Sequence, residues 1–306
     1  MAAFAFNLDF GQNGTIILVG VLAGVVVRLL LLKTDYRQYP GYPHGYLIHL
    51  SMGGIAAALG AVAVPALVTQ NFTAVTFLAL AAQQFRDIRN MERESLGKLE
   101  EVALIPRGLD YIEGIAKVFE ARNYLVMFTA FATSGIANLL GLVPGLGIGV
   151  VCMVASKLLA QGKVVGDIAE VVPAKINFHG SMLLVDDIVI FNVGLAATRK
   201  KLLDQGLAIK LIPKDPNSKA TLNSPGQRQA IAHDIAVIMG AQKDIGEQEF
   251  TPLVRKKALT GELGLVLLPD ESSIEAMVSA AKRAPVLETS VRRPLDAKAG
   301  RQADNG

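Results

Sequence analysis

The chain contains one cysteine, Cys152, which excludes an internal disulfide and any need for an oxidising compartment. Charge is also missing from long segments. Residues 1–27 contain no lysine or arginine, and residues 47–85 and 123–156 contain no charged residue of either sign. A water-soluble fold would need charges on the exposed faces of segments this long, and 51% of the residues are hydrophobic. The sequence therefore predicts a multi-pass membrane protein.

The uncharged segments are long enough for about five transmembrane helices. One apolar helix crosses the hydrocarbon core in about 20 residues. We therefore expect one crossing at residues 15–32 and two in each of the longer uncharged segments. The turns within these pairs are expected at residues 69–71 and at residues 141–145, around Pro144. The third crossing, residues 72–84, is short.

The basic residues indicate the orientation, because lysine and arginine remain on the cytoplasmic side during insertion. They follow the first crossing, fill the segment between the third and fourth, and end the fifth. Five crossings with the N-terminus outside place all of these basic residues inside the cell. We therefore expect a cell-membrane protein with a cytoplasmic C-terminal domain. Arg28 is interpreted as a helix-end residue whose side chain extends to the membrane surface.

Two features of the membrane segments have simple interpretations. Gly20 and Gly24, like Gly145 and Gly149, are four residues apart, a spacing that permits close contact between membrane helices. The loop at residues 33–46 alternates tyrosine, proline and glycine. It is interpreted either as an interfacial aromatic belt or as an ordered loop over a site. The second interpretation makes four side chains available to that site: Asp35, Arg37, His44 and His49.

Composition divides the chain into three parts. Residues 1–170 are predicted to form the transmembrane domain, with an amphipathic cytoplasmic segment at residues 86–122. Residues 171–293 alternate predicted strands and helices, which indicates a small soluble α/β domain on the cytoplasmic side. Within it, residues 182–191 are predicted to form one strand. The polar residues 294–306 are predicted to be disordered.

Residues 111–116 read Tyr-Ile-Glu-Gly-Ile-Ala, the hexapeptide that names the YIEGIA family of bacterial membrane proteins. Further segments that resemble this family are residues 34–40, 85–93, 166–169, 179–183 and 185–188. The resemblance spans nearly the whole chain. It implies a multi-pass membrane protein of the kind found mostly in spore-forming Gram-positive bacteria, and a membrane-bound, site-specific protease of aspartyl type as the expected activity.

An aspartyl protease needs two carboxyl groups that share one proton. The predicted topology gathers four candidate catalytic residues near the cytoplasmic face: Asp35, Asp167, Asp186 and Asp187. The last two are adjacent in a predicted strand, so their side chains point to opposite faces and they cannot form a dyad with each other. Either of them is instead a candidate partner for Asp35 or Asp167.

Other chemistries find less support in the sequence. The spacing of the four histidines does not match a zinc site, and no Gly-x-Ser-x-Gly motif is present. Cys152 in a membrane helix is a poor nucleophile. We therefore expect no metal and no cofactor. A transporter is disfavoured because the membrane segments are expected to carry no buried ionised residue of the kind that marks an ion or proton path.

Two functional hypotheses remain. The first is a membrane-anchored aspartyl-type endopeptidase that cleaves a cytosolic protein. The second is a non-enzymatic sensor or regulatory scaffold whose cytoplasmic domain binds a ligand or a partner. Both hypotheses predict the lipid bilayer and a cytosolic protein as partners, and both are compatible with a homo-oligomer. Neither predicts a nucleic-acid partner.

Overall fold

The computed structural model describes residues 12–35, 39, 43–101, 103, 105–160, 162–242 and 251–304. It divides the chain into two compact units. The first unit comprises residues 1–92 and 115–161, and the second comprises residues 93–114 and 162–306. The second unit therefore begins before the predicted boundary at residue 171. The reason is a set of backbone hydrogen bonds within this unit, from Val165 to Ala284 and from Val286 to Lys163, both 2.9 Å long.

Helices build the first unit. The helices that contribute to it are α1 (Gln12–Asp35), α2 (Pro43–Val68), α3 (Phe72–Glu101), α4 (Leu109–Leu140) and α5 (Leu142–Leu159). Among the described residues, four of these helices, α1, α2, α4 and α5, are long and apolar enough to cross a membrane. Both predicted turns are present. Gln70, with φ 56°, lies between α2 and α3, and Gly141, with φ 96°, separates α4 from α5.

Helix α3 differs from the other long helices. Its first half contains the predicted third crossing at residues 72–84, and the same helix continues without a break into the charged segment from residue 86 onwards. Charges at frequent intervals after residue 85 leave α3 without a span as long and apolar as those of the other four helices. The amphipathic helix that continues from residues 72–84 is present, whereas a fifth crossing remains a prediction.

Small residues set the distances between the helices of the first unit. A Cβ atom on Gly24 would lie 2.7 Å from the Cβ of Ala57, and one on Gly145 would lie 2.5 Å from the Cβ of Ala137. Real Cβ atoms do not approach each other so closely, so these glycines allow the helices to pack with backbones in near contact. The predicted packing role of the two glycine pairs is consistent with these distances.

The second unit contains two antiparallel sheets. The larger has the order β1-β5-β7-β6, and the smaller has the order β2-β3-β4. The strands are β1 (Ala169–Ala174), β2 (Ile176–His179), β3 (Met182–Val185), β4 (Ile188–Asn192), β5 (Leu207–Pro213), β6 (Leu253–Lys256) and β7 (Leu263–Leu267). The prediction of one strand at residues 182–191 was wrong. Asp186 adopts φ 51°, which reverses the chain and makes β3 and β4 a hairpin.

Helices cover the sheets of the second unit. They are α6 (Val165–Ile168), α7 (Ala196–Gln205), α8 (Pro216–Leu222), α9 (Pro225–Met239), α10 (Ile274–Arg283) and α11 (Lys298–Asp304). One apolar core joins the larger sheet to α9 and α10, and a second joins the smaller sheet to α7. The small α/β fold predicted from the alternation of strands and helices is confirmed.

The last described residues are helical, in contrast with the disorder predicted for residues 294–306. A short 3-10 turn at Pro294–Asp296 precedes α11. The amide of Leu295 donates a hydrogen bond to Oδ1 of Asn217, 2.9 Å away, which fixes this turn on the second unit. This hydrogen bond is made by a backbone amide within a polar segment. Composition alone therefore does not predict that the segment is ordered.

Gly60 provides a test of the helix packing. A Cβ atom on this residue of α2 would lie 2.1 Å from the carbonyl oxygen of Met127 on α4, whereas one on Gly54 of the same helix would meet nothing within 4 Å. We expect Gly60→Ala to destabilise the chain by about 1–3 kcal/mol, because the backbones must separate. Gly54→Ala should be neutral or slightly stabilising, since alanine favours a helix. Thermal unfolding midpoints in detergent measure both, and equal midpoints would contradict this packing.

Candidate functional site: a buried charge network in the helical unit

Arg28 is the centre of a polar cluster inside the first unit. Its side chain is 0% exposed, so the interpretation as a helix-end residue that extends to the membrane surface was wrong. The sequence 29–32 continues α1 with four leucines, which places Arg28 inside the helix rather than at its end. Gly53 on α2 makes room for it, because a Cβ there would lie 2.4 Å from Cγ of Arg28.

Asp35 compensates the charge of Arg28 and of a second arginine. Nη1 of Arg28 donates a hydrogen bond to Oδ2 of Asp35 at 2.7 Å, and Nε of Arg122 donates to Oδ1 at 3.1 Å. Arg28 and Asp35 are seven residues apart, two turns of α1, and therefore share one face of this helix. Arg122 reaches the same carboxylate from α4. All three side chains are buried, so each charge depends on the others for its solvation.

His49 extends the network to α2. Nε of Arg28 donates to the carbonyl oxygen of His49 at 3.1 Å, and Nη2 lies 2.7 Å from Nδ1 of the same residue. Arginine can only donate, so we assign Nδ1 as the acceptor and place the imidazole proton on Nε2. The imidazole ring also packs against Tyr39 and Phe119, with ring centroids 4.5 and 4.6 Å away.

Glu92 on α3 completes the network. Its Oε1 lies 4.0 Å from Nε2 of His49, and its side chain is 5% exposed. Burial raises the pKa of Glu92 from 4.5 to about 7, because the surrounding protein solvates the carboxylate less well than water does. The first unit thus holds two buried carboxyl groups in different surroundings. Asp35 contacts two guanidinium groups, whereas Glu92 faces an imidazole at a longer distance.

The other three candidate acids lie in the second unit, where each makes a local contact. Asp167 accepts a hydrogen bond from the amide of Val164 at the start of α6, 2.9 Å long. Asp186, in the β3–β4 turn, accepts one from the amide of Lys175 between β1 and β2, also 2.9 Å long. These contacts give Asp167 a structural role at the start of a helix and Asp186 a structural role in a turn.

Asp187, in the same turn, is exposed and forms ion pairs with Lys257 and, at 3.6 Å, with Lys210. The hydrogen bond from Lys257 holds the pKa of the Asp187 carboxyl below its usual range. Asp186 and Asp187 occupy a turn rather than a strand. The argument that their side chains must point to opposite faces of a sheet therefore does not apply.

Several expected site residues fall outside the network or outside the described part of the chain. Arg37 and the side chain of His44, both named for the loop interpretation, lie outside the described residues. Among the residues that the structure describes, no group of three or more histidine, cysteine, aspartate or glutamate side chains could hold a metal ion.

The hexapeptide at residues 111–116 is explained by close packing at the start of α4. The amide of Tyr111 donates to Oε1 of Gln229 at 3.0 Å, and the tyrosine side chain is buried. A Cβ atom on Gly114 would lie 2.8 Å from Oγ1 of Thr289, so this position favours glycine. The last two residues of the hexapeptide belong to the first unit and are also buried.

The fold and these contacts define the class of protein. Among the described residues, four helices are long and apolar enough to cross a membrane, and a small α/β unit accompanies them. The family described as YIEGIA protein matches residues 16–297. The chain belongs to the YIEGIA family.

A relative from Bacillus subtilis (strain 168) agrees with this assignment. It carries the name Uncharacterized protein YphB and is 42% identical over 280 residues, which cover 92% of this chain and 94% of the relative. No solved structure matches the chain.

We expect substitution of Asp35 to lower the stability of the fold strongly. Asp35→Asn removes the buried carboxylate that both Arg28 and Arg122 bind, and breaking such a buried pair from one side costs about 3–5 kcal/mol. Asp187→Asn is the matched control, because Asp187 is exposed and its loss should have little effect. Thermal unfolding in detergent compares the two variants with the unchanged chain. A midpoint for Asp35→Asn equal to that of Asp187→Asn would show that the network does not stabilise the fold.

Glu92 predicts a dependence of stability on pH. Its pKa is higher in the folded chain than the ordinary value of 4.5, so the folded state binds the proton more tightly than the unfolded state. Stability from this group is therefore present at low pH and is lost as the pH rises towards and through about 7. The loss amounts to about 3 kcal/mol at most.

The measurement is the unfolding midpoint between about pH 5 and pH 8, taken for the unchanged chain and for Glu92→Gln. The glutamine keeps the size of the side chain and removes the titration, while His49 and the other ionisable groups remain. The difference between the two curves isolates Glu92. Parallel curves would mean that Glu92 titrates in the folded chain as it does in water.

Proposed function

We propose that the chain is an integral membrane protein of the cell membrane, with its N-terminus outside and its second unit in the cytoplasm. The apolar helices α1, α2, α4 and α5 support the membrane location. The clustering of basic residues after the first crossing, between the third and fourth, and after the fifth supports the orientation. In this topology the first half of α3 is the third of five membrane-spanning segments.

Within this protein, we propose that the charge network is the active centre of a site-specific endopeptidase. The observation that carries the proposal is the pair of buried carboxyl groups, Asp35 and Glu92, that are linked through Arg28 and His49. Paired carboxyl groups in different surroundings are typical of acid–base catalysis, because one can remain ionised while the other holds a proton.

The two carboxyl groups take different roles in peptide hydrolysis. Asp35, which contacts two guanidinium groups, is the carboxylate that accepts a proton from the attacking water. Glu92, with a pKa near 7, is the acid that delivers a proton to the leaving amine nitrogen. Arg28 and Arg122 supply positive charge for the oxyanion that forms on the scissile carbonyl. The bound segment of a cytosolic protein must displace part of the helix packing, because the network is buried.

Asp167, Asp186 and Asp187 are less well suited to this chemistry. Each makes a hydrogen bond or ion pair within the second unit that accounts for its position. The sequence still predicts them as candidates, so their Asp→Asn variants serve as comparisons with the same change of charge.

A regulatory scaffold is the second candidate function, and the pairing of Asp35 supports it. Both oxygens of this carboxylate accept hydrogen bonds from arginines, which leaves it poorly placed to act on water while the network is closed. In this alternative, the network holds the helices in one arrangement. Binding of a partner or a ligand to the second unit then changes that arrangement without any cleavage.

Profiling of protein N-termini distinguishes these two functions. Cells producing the unchanged chain are compared with cells producing Glu92→Gln, and new N-termini in cytosolic proteins are identified by mass spectrometry. We expect at least one terminus that depends on Glu92. The variants Asp167→Asn, Asp186→Asn and Asp187→Asn should still produce it. Equal amounts of each protein in the membrane fraction, measured by immunoblot, control for folding.

The outcomes separate the hypotheses. A terminus that is produced equally by the unchanged chain and by Glu92→Gln excludes Glu92 as the catalytic acid. Loss of the terminus in one of the three comparison variants instead transfers the catalytic role to that residue. The absence of any terminus that depends on the unchanged chain favours the regulatory scaffold.

A further inference from the structure

The outer face of α7 combines exposed apolar side chains with basic ones. Positions 196, 199, 200 and 203 follow helical spacing and share one face. Leu195, which precedes the helix, is 67% exposed, and Leu203 on this face is 54% exposed. We call Leu195, Ala196, Arg199, Lys200 and Leu203 the α7 surface. Leu202, by contrast, is buried in the core beneath the smaller sheet.

The charge of the α7 surface is positive. Residues 195–204 contain three basic side chains in succession, at positions 199–201, and one acid, Asp204. Nη1 of Arg199 donates to the carbonyl oxygens of Val193 and Gly194, both at 3.1 Å. These acceptors are uncharged, so they orient the guanidinium group without compensating its charge. Lys200 is exposed.

Exposed leucines among basic residues fit a phospholipid surface that carries negative charge. The leucines enter the boundary between headgroups and acyl chains, while the arginine and lysine contact lipid phosphates. In a membrane protein, the soluble unit is tethered to the bilayer. The effective concentration of lipid at its surface is therefore high. The α7 surface differs in this combination from one equally exposed apolar position of the second unit. Val237 on α9 is 55% exposed, but its segment contains Asp234 and no adjacent basic residue.

We propose that the α7 surface docks the second unit on anionic phospholipids of the membrane in which the first unit resides. The inference rests on the proposed membrane location and is independent of the proposed catalysis. Charge complementarity selects the lipid, and the two leucines supply apolar contact area. The docking restricts the orientation of the second unit relative to the bilayer, and therefore the approach of a cytosolic partner.

Lipid quenching of a fluorescent probe tests this docking in the full chain. Cys152→Ser removes the natural thiol, and Leu203→Cys is labelled with bimane. Val237→Cys is the matched control, because the two side chains are about equally exposed, at 54% and 55%. The labelled chains are reconstituted into vesicles of phosphatidylcholine, with or without phosphatidylglycerol. Both vesicle types contain a phospholipid with a spin label near the headgroup, which quenches bimane at short range.

We expect strong quenching of the probe at position 203 in the anionic vesicles and weak quenching of the probe at position 237. Salt should reduce the difference, because it screens the attraction to the headgroups. Lys200→Gln should lower the ratio of docked to undocked second units about five-fold, the effect of one basic residue near an anionic surface.

Equal quenching of the two probes in anionic vesicles would overturn the docking proposal. Shielding of the 203 probe by an added soluble protein, without quenching by lipid, would overturn it as well, because the surface would then bind protein. Resistance of the chain to carbonate extraction tests the membrane location separately. A chain that carbonate releases would contradict both that location and the docking, whereas the N-terminus profiles test catalysis alone.

Discussion

The ion pairs of Asp35 with Arg28 and Arg122 constrain the rest of the helical unit. Three charges buried away from water are tolerated only when their hydrogen bonds are well aligned, because the cost of removing each charge from water is several kcal/mol. The contact between Arg122 and Asp35, 3.1 Å long, therefore fixes α4 against α1 at this point, while Arg28 binds Asp35 within α1 at 2.7 Å. It also explains Gly53, since a larger residue there would occupy the space of the Arg28 side chain.

The small residues further along the helices are a consequence of the same constraint. Once the arginines and Asp35 hold the helices close at one level, the helices can remain close only where side chains are small. Gly24 against Ala57, and Gly60 against the backbone of Met127, meet this requirement. Within a membrane, where burial of apolar surface drives helix association only weakly, such close packing and buried hydrogen bonds are the main sources of stability. The charge network and the glycine contacts therefore act together.

The sequence predicted the elements of the fold better than the centre of the site. Charge-free stretches locate the long helices, and alternation of strands and helices locates the α/β unit, because both signals are local. Asp35 was also named, from its position after the first crossing. Arg28 was misinterpreted, although the four leucines after it are visible in the sequence. Glu92 was missed because its burial depends on residues of α2, far away in the chain. Glu92 lies seven positions after the buried Phe85, which is two helical turns, and this spacing is the one local signal that it shares a face with the core.

The sequence disfavours a transporter because the membrane segments are expected to carry no buried ionised residue. The buried network of Arg28, Asp35 and Arg122 contradicts that reason. The arrangement itself still distinguishes between functions. A path for protons or ions needs charges that can lose and regain their partners along a line, whereas Asp35 has both oxygens bound by arginines within one compact cluster. Such a cluster is better suited to hold a structure, or to stabilise charge that develops at one place, as in the hydrolysis of a peptide bond. In the proposed hydrolysis, Glu92 is the group that allows this chemistry, because near neutral pH it can exist in either protonation state.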